Sequence, residues 1–514
     1  MDWGTTTSVC HGLCVLLILC GALHAFGGEA AGLPMPKAGD HVIRVDPRPK
    51  FELSPNLYMQ FMEPLGTTDG SVEAAWNHQQ DDWRADVVDA TKDLAPPLLR
   101  WGGCFASYYR WKEAVGPRDR RVPMHNLLWG GVESNQIGTH EFVDFCRRVG
   151  AEPLLCVNFE SDGRKPWAHP RKGGERSAGP EEAAEWVDYC NNPDNELRKE
   201  HGVAKPYHVR LWQIGNETSY DKNGFDVEAA AQKTLLFAQA MRKADPTIQL
   251  IGWGDNGWAR RMVEVAGREL QYIAFHHMFD AGAPLRFNEF RKDPAKTWEA
   301  LMKAYRIHEG RLQAMRKDTA NLNVALALTE CHLALPGRNR CEVLSSWAAG
   351  VANARMANLH ERNGDVLKIA TLADFCGTRW QVNAVMIPTP GGKAFLMPVA
   401  RVMALYRAHS GQQAVEVLAA APGLDVTASR TGTRFFLHVV NTQRTQPVEV
   451  ELAVDGMALK SGVAFEIAAD PEFEVLVRDE VLTPKRKDIP ADGKWTFPPA
   501  SVSALELEIA EPGR

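Results

Sequence analysis

The sequence predicts an α/β protein built as a (β/α)8 TIM barrel with a C-terminal antiparallel β-sandwich. Three observations carry that expectation. Short apolar runs alternate eight times with longer amphipathic ones between residues 56 and 411. Beyond residue 412 the helical pattern gives way to period-two alternation broken by turn residues. No glycine-rich phosphate turn follows an early strand, which argues against a doubly wound open sheet. At 514 residues the chain has room for both domains.

Residues 1–30 read as a signal peptide, because "LCVLLILCGAL" is an apolar core of the right length followed by small residues. No Lys or Arg precedes this core, and the first is Lys37. Cys20 follows Leu19, a bulky residue where a small one normally precedes a lipidated cysteine. The expected location is therefore exported, periplasmic or extracellular. No later segment reads as membrane-spanning.

The barrel is expected over residues 55–411. Its strands are "NLYMQFME" (56–63), "PLLRW" (97–101), "PLLCVNF" (153–159), "HVRLWQIG" (208–215), "IQLIGWG" (248–254), "YIAFHH" (272–277), "NVALALTE" (323–330) and "VLKIATLADF" (366–375). Helical patterns lie between them at 83–94, 139–150, 180–191, 226–244, 259–267, 295–317 and 342–363, with a last one at 395–411. The sandwich is expected from residues 412–514, in runs such as "RFFLHVVN", "VEVELAVD", "FEVLVR" and "SALELEIA". The alternating segment "HVIRVD", within residues 38–54, is expected to add a strand to it.

Composition narrows the function. A net charge of −6 with no long run of one sign gives no field for nucleic acid. Of ten cysteines three fall in the leader, and the remaining seven show neither a C-x-x-C pair nor zinc spacing. Cys146 and Cys156 sit in apolar runs and read as buried thiols. No cofactor signature is present, and the histidines of "FHH" and "ECH" lack the H-E-x-x-H metal spacing.

In a (β/α)8 barrel the chemistry gathers at the strand C-termini. Strands four and seven each end an apolar run in a glutamate, Glu217 and Glu330. Lying on opposite sides of the mouth, the two carboxyls suit glycoside hydrolysis, in which one donates a proton and the other attacks. Asn216, beside Glu217, offers an amide to a sugar hydroxyl.

"WQIGNE" and "LALTE", with "RWGGCFASYYRWKEAVGPRDRR" and "ESNQIGTHEFVDFCRRVGAEPLLCVNF", resemble the α-L-arabinofuranosidases of glycoside hydrolase family 51. The likeness runs from about Ser54 to the "PVARVMALYRAHSG" helix. It implies that Glu217 is the acid/base and Glu330 the nucleophile of a retaining, two-glutamate mechanism. It also implies that Asn216 holds the sugar near its 2-hydroxyl, that Glu63 contacts the sugar from strand one, and that His276 stands near the nucleophile. Relatives of this kind are often multimers, so a homo-oligomer is an expectation.

Departures from the family pattern cluster around the sugar. The family usually reads R-[WFY]-P-G-G-N-F after strand two, and here "RWGGCF" puts Cys104 at the asparagine. Met278 and Phe279 stand where a tyrosine is usual, Met386 loosely where a glutamine is, and Cys331 where a tryptophan is. His277, Arg379, Trp380 and Gln381 are nearby polar replacements. Trp101, Trp111, Trp129, Trp253 and Trp380 are candidate stacking platforms. The expected function is an α-L-arabinofuranosidase-like glycosidase acting on plant or algal oligo- or polysaccharide. The alternatives are the same chemistry on a β-xyloside, β-glucan or galactofuranoside, or an inactive carbohydrate-binding protein.

Overall fold

The computed structural model describes residues 32–65, 71–126, 129–159, 176–220, 225–280, 289–333, 342–389, 391–476 and 480–510. The expected signal peptide, with Cys10, Cys14 and Cys20, lies outside them. The eight barrel strands are β1 (Gln60–Met62), β2 (Leu98–Trp101), β3 (Glu152–Val157), β4 (Leu211–Ile214), β5 (Gln249–Trp253), β6 (Tyr272–Phe279), β7 (Ala325–Leu333) and β8 (Leu367–Ala370). Each pairs in parallel with the next. The ring closes where the Met59 amide donates to Ala370 O at 3.0 Å.

The differences from the expected boundaries have local causes. Pro55 starts a 3-10 turn, Pro55–Tyr58, so β1 is shorter than its apolar run. The eighth run breaks because the Thr371 hydroxyl donates to Ala373 O at 2.9 Å and accepts from the Ala373 amide at 3.3 Å, a local competition with the ladder. Past this break the chain forms a separate strand, Asp374–Gly377, which pairs with β1 at Phe61. The helix expected over 295–317 divides at Ala304 into Pro294–Lys303 and Tyr305–Asp318.

Period-two alternation sorts the strand residues into two cores. Met59, Phe61, Leu98, Leu154, Leu211, Ile251, Ala274, Ala327 and Ile369 fill the barrel interior. The opposite faces join a larger core beneath the helices. Two residues beyond Phe61, Leu98, Leu154, Leu211 and Ala274, toward the strand C-termini, the same inward face carries Glu63, Arg100, Cys156, Gln213 and His276.

The C-terminal domain is one curled ten-stranded sheet around its own apolar core. Its long N-terminal strand, Val42–Glu52, pairs antiparallel with Gln413–Ala420 and parallel with Val448–Val454. In "FEVLVR" the described residues 473–476 carry an isolated bridge, Glu474 to Ser346, and belong to none of the named strands. An edge strand, Lys485–Ile489, forms instead from a mostly exposed, charged segment whose composition hides it. The helix Trp347–Arg362 fastens this domain to the barrel. Buried Asp425 accepts from Arg362 Nη1 at 2.7 Å and Arg355 Nε at 3.0 Å. Burial alone would raise that carboxyl, yet Arg362 and then Arg355 hold it below its ordinary range.

His277 points away from the mouth and is not available to a sugar there. Its Nδ1 lies 2.8 Å from His308 Nδ1, and His308 Nε2 lies 2.7 Å from His360 Nε2. Three neutral rings satisfy both contacts, one N–H being donated at each, and it is burial that disfavours charging any of them. Burial pulls His277 down to about 4 and His360 down to about 3, and burial followed by the neighbouring rings pulls His308 well below its ordinary value. The unfolded chain protonates these rings near pH 6.5, so below that pH it binds more protons than the folded one. Stability is therefore expected to fall as pH drops from about 6.5 toward 4, by on the order of 1 kcal/mol per pH unit per histidine. Urea unfolding across that range checks this: His360→Gln should flatten the slope, and an unchanged slope would refute the assignment.

Candidate active site

The turn after β4 is what presents Asn216 and Glu217. Gly215 takes φ 75°, and a Cβ there would come within 2.9 Å of Phe159. Glu217 itself holds φ 51°, a left-handed conformation that an ordinary side chain adopts at a cost. The Gly215 carbonyl accepts from Gln213 Nε2 at 2.9 Å and from Cys156 Sγ at 3.3 Å, which pins the turn from inside the barrel.

Arg100, fully buried on β2, ties three strands together. Its Nε donates to Gln213 Oε1 at 2.9 Å, its Nη1 to Glu330 Oε1 at 2.9 Å and its Nη2 to Asn216 Oδ1 at 2.6 Å. Burial acts to lower its pKa, but the Glu330 carboxylate carries it above the ordinary value. The bond also fixes the Asn216 amide, whose Nδ2 is buried without a partner among the described residues. That Nδ2 keeps its donor capacity unused within the site.

Glu217 is held from two other sides. His276 Nδ1 lies 2.9 Å from Glu217 Oε1 and 3.7 Å from Glu330 Oε2, so the ring stands between the two carboxyls. His276 Nε2 lies 2.9 Å from Thr329 Oγ1, beside a bulge that shifts the β6–β7 register after Phe275. Cys104 Sγ donates to Glu217 Oε2 at 3.3 Å. Carboxylate oxygens of Glu217 and Glu330 lie within 4.8 Å of one another. With His276 the two have the spacing to hold a metal ion, but the Arg100 guanidinium already supplies the balancing cation.

Glu63 closes the wall at β1. Its Oε1 accepts from the Cys104 amide at 2.7 Å and from Trp129 Nε1 at 2.9 Å. Gly103, at φ 124°, permits this approach, since a Cβ there would lie 2.2 Å from Glu63 Cδ. Trp129 meets Trp380 edge-on with ring centroids 5.4 Å apart, so these two tryptophans stand beside Glu63.

Other candidates go elsewhere. Trp101 is a correction: next to inward Arg100 it must face outward, and it packs on Phe105, Tyr109 and Phe142. Trp111 stacks on Trp186 beneath the helices, and Trp253 lies inside the barrel against His276. Met278 is half-buried on the same face of β6 as His276, at the mouth. Met386 lies on Asn383–Met386, a strand beyond the ring, and Cys331 is buried on the outer side of β7. The six described mature cysteines, Cys146 and Cys156 among them, are all buried. Sequence reasoning missed Arg100, Gln213, Thr329, His332 and Asp374; an Arg and a Gln inside apolar strand runs were the readable signal for the first two.

Comparison with known proteins agrees with this geometry. The α-L-arabinofuranosidase 1 domain model matches residues 90–294, and the α-L-arabinofuranosidase C-terminal domain model matches residues 335–501. The family 51 α-L-arabinofuranosidase of Thermotoga petrophila superposes with a TM-score of 0.74 at 25% identity, covering 91% of this chain and 100% of that one. The chain belongs to glycoside hydrolase family 51. α-L-Arabinofuranosidase C of Emericella nidulans is 35% identical over 216 residues, 40% of each chain. An intracellular exo-α-(1→5)-L-arabinofuranosidase of Acetivibrio thermocellus is 29% identical over 249 residues, 44% of this chain and 46% of that one. The match therefore spans less than half the length of these two curated relatives.

In this family 51 member Arg100 is the only positive charge bonded to Glu330 among the described residues. Arg100→Met would leave a buried carboxylate uncompensated, at a cost of about 3–5 kcal/mol. The urea midpoint should drop accordingly, and an unshifted midpoint would show that the guanidinium does not balance that charge.

Proposed function

We propose that this family 51 chain is a retaining α-L-arabinofuranosidase, with Glu330 as nucleophile and Glu217 as acid/base. The observation that supports it most is the approach of the two carboxyls, whose oxygens lie within 4.8 Å. Retaining enzymes hold their carboxyls about 5–5.5 Å apart, whereas inverting ones leave a wider gap for water. The two α-L-arabinofuranosidase domain models support the sugar.

In this reading Arg100 occupies Glu330 Oε1 and aims the carboxylate, leaving Oε2 to attack the anomeric carbon. Glu217 gives its proton to the departing oxygen, and the sugar is left esterified to Glu330. Glu217 then takes a proton from water, which attacks the same carbon and releases Glu330. Asn216 Nδ2 holds the 2-hydroxyl, and Glu63 accepts from another hydroxyl.

A second reading keeps the chemistry and changes the sugar to a β-xyloside or galactofuranoside. Met278 favours it, because an apolar side chain sits at the mouth where the family usually has a tyrosine.

Two measurements test the proposal. Glu217→Ala is expected to lower kcat about 10²–10⁴-fold on a poor leaving group and far less on an activated aryl arabinofuranoside. Azide should rescue Glu217→Ala to a product of retained configuration and Glu330→Ala to one of inverted configuration. Full activity in either variant, or the opposite stereochemistry, would refute the roles. Cleavage of aryl xyloside or galactofuranoside but not arabinofuranoside would select the second reading.

A further inference from the structure

Two buried ionisable side chains at the mouth take no part in the chemistry above. His332 lies two residues beyond Glu330 on β7, so it faces the same side about 6–7 Å nearer the rim. Its register partner on β6 is Met278, two residues beyond His276. Asp374 begins the strand that pairs with β1 at Phe61, two residues before Glu63. His332 Nε2 stands 3.3 Å from Asp374 Oδ1. The pair thus forms the wall between β7 and β1, across the mouth from Asn216 and Glu217 on β4.

Though nearer the rim, the pair is as buried as the two glutamates. His332 is 2% exposed and Asp374 6%, against 6% for Glu217 and 5% for Glu330. A carboxylate steadied by an imidazole is a strong acceptor for a hydroxyl hydrogen in such a dry wall. It repels an anionic sugar and suits a neutral one.

We propose that Asp374, held by His332, binds a hydroxyl of the reacting sugar on the edge away from C2, at C3 or C5 of a furanose ring. This rests on the arabinofuranosidase reading. It supplies polar recognition where Cys104 and Met278 have replaced the family's usual asparagine and tyrosine. The pair determines which sugar is accepted; the bond-breaking steps remain with Glu217 and Glu330.

The test compares 4-nitrophenyl α-L-arabinofuranoside with its 2-, 3- and 5-deoxy analogues. The wild-type protein is expected to prefer the parent over the 3- or the 5-deoxy analogue by about 10²-fold or more in kcat/KM. Asp374→Ala should lose about that factor on the parent and bring the ratio for that analogue to within about threefold of one, while the 2-deoxy ratio stays. Should the alanine variant fail to fold, Asp374→Asn is to lower the same ratio at least about tenfold. His332→Gln should lower it too, because the carboxylate loses its support. A general structural defect would lower all four rates together and leave every ratio unchanged, and that result overturns the inference. Hydrolysis by wild type with ratios unaltered in Asp374→Ala overturns this inference alone. No hydrolysis of the parent by wild type overturns the arabinofuranosidase reading and this inference with it.

Discussion

The buried guanidinium of Arg100 is the interaction on which the site depends. A cation removed from water costs several kcal/mol unless its hydrogens find acceptors and its charge finds a counter-charge. Here the acceptors come from β4, from the turn after it and from β7, as Gln213, Asn216 and Glu330. One planar group therefore sets the distance between three positions far apart in sequence. The carboxylate it holds is aimed before any ligand arrives, which is how a site lowers a barrier without reorganising during the reaction.

Closure of the barrel and placement of the site come from one alternation. Interior positions lower in the barrel take Leu, Ile, Ala, Met and Phe, because that space is sealed at all sides. At the C-terminal ends the βα turns admit polar groups, and the same inward face switches to Glu63, Arg100, Gln213 and His276. Turn geometry completes the switch: Gly215 and Glu217 in left-handed conformations swing a carboxyl inward where the strand alone would carry it past.

The same alternation explains which parts were legible in the sequence. Eight apolar runs and two glutamates ending runs four and seven are local patterns, and local patterns survive in one dimension. Boundaries failed where a side chain overrode the pattern, as Thr371 does in bending the eighth run. Trp101 was misread because an aromatic residue beside a strand end suggests a platform, whereas its neighbour Arg100 already occupied the inward direction. His332 and Asp374 carried no local signal at all. Their meeting depends on ring closure, which sets the strand after β8 against β1.

The thiol of Cys104 shows how chemistry and recognition separate within one wall. An asparagine at this position would offer two strong donors and a strong acceptor, whereas a thiol is a weak donor and a weak acceptor. Cys104 directs that donor at Glu217 Oε2, while its backbone amide, independent of side-chain identity, holds Glu63. The replacement thus preserves the backbone contact that positions Glu63. In the proposed mechanism its weak bond to Glu217 competes little with the proton that leaves and returns in each cycle. In the proposed arabinofuranosidase the thiol removes a strong polar contact with the sugar, and the proposed replacement lies across the mouth, on β7 and the strand beyond β8.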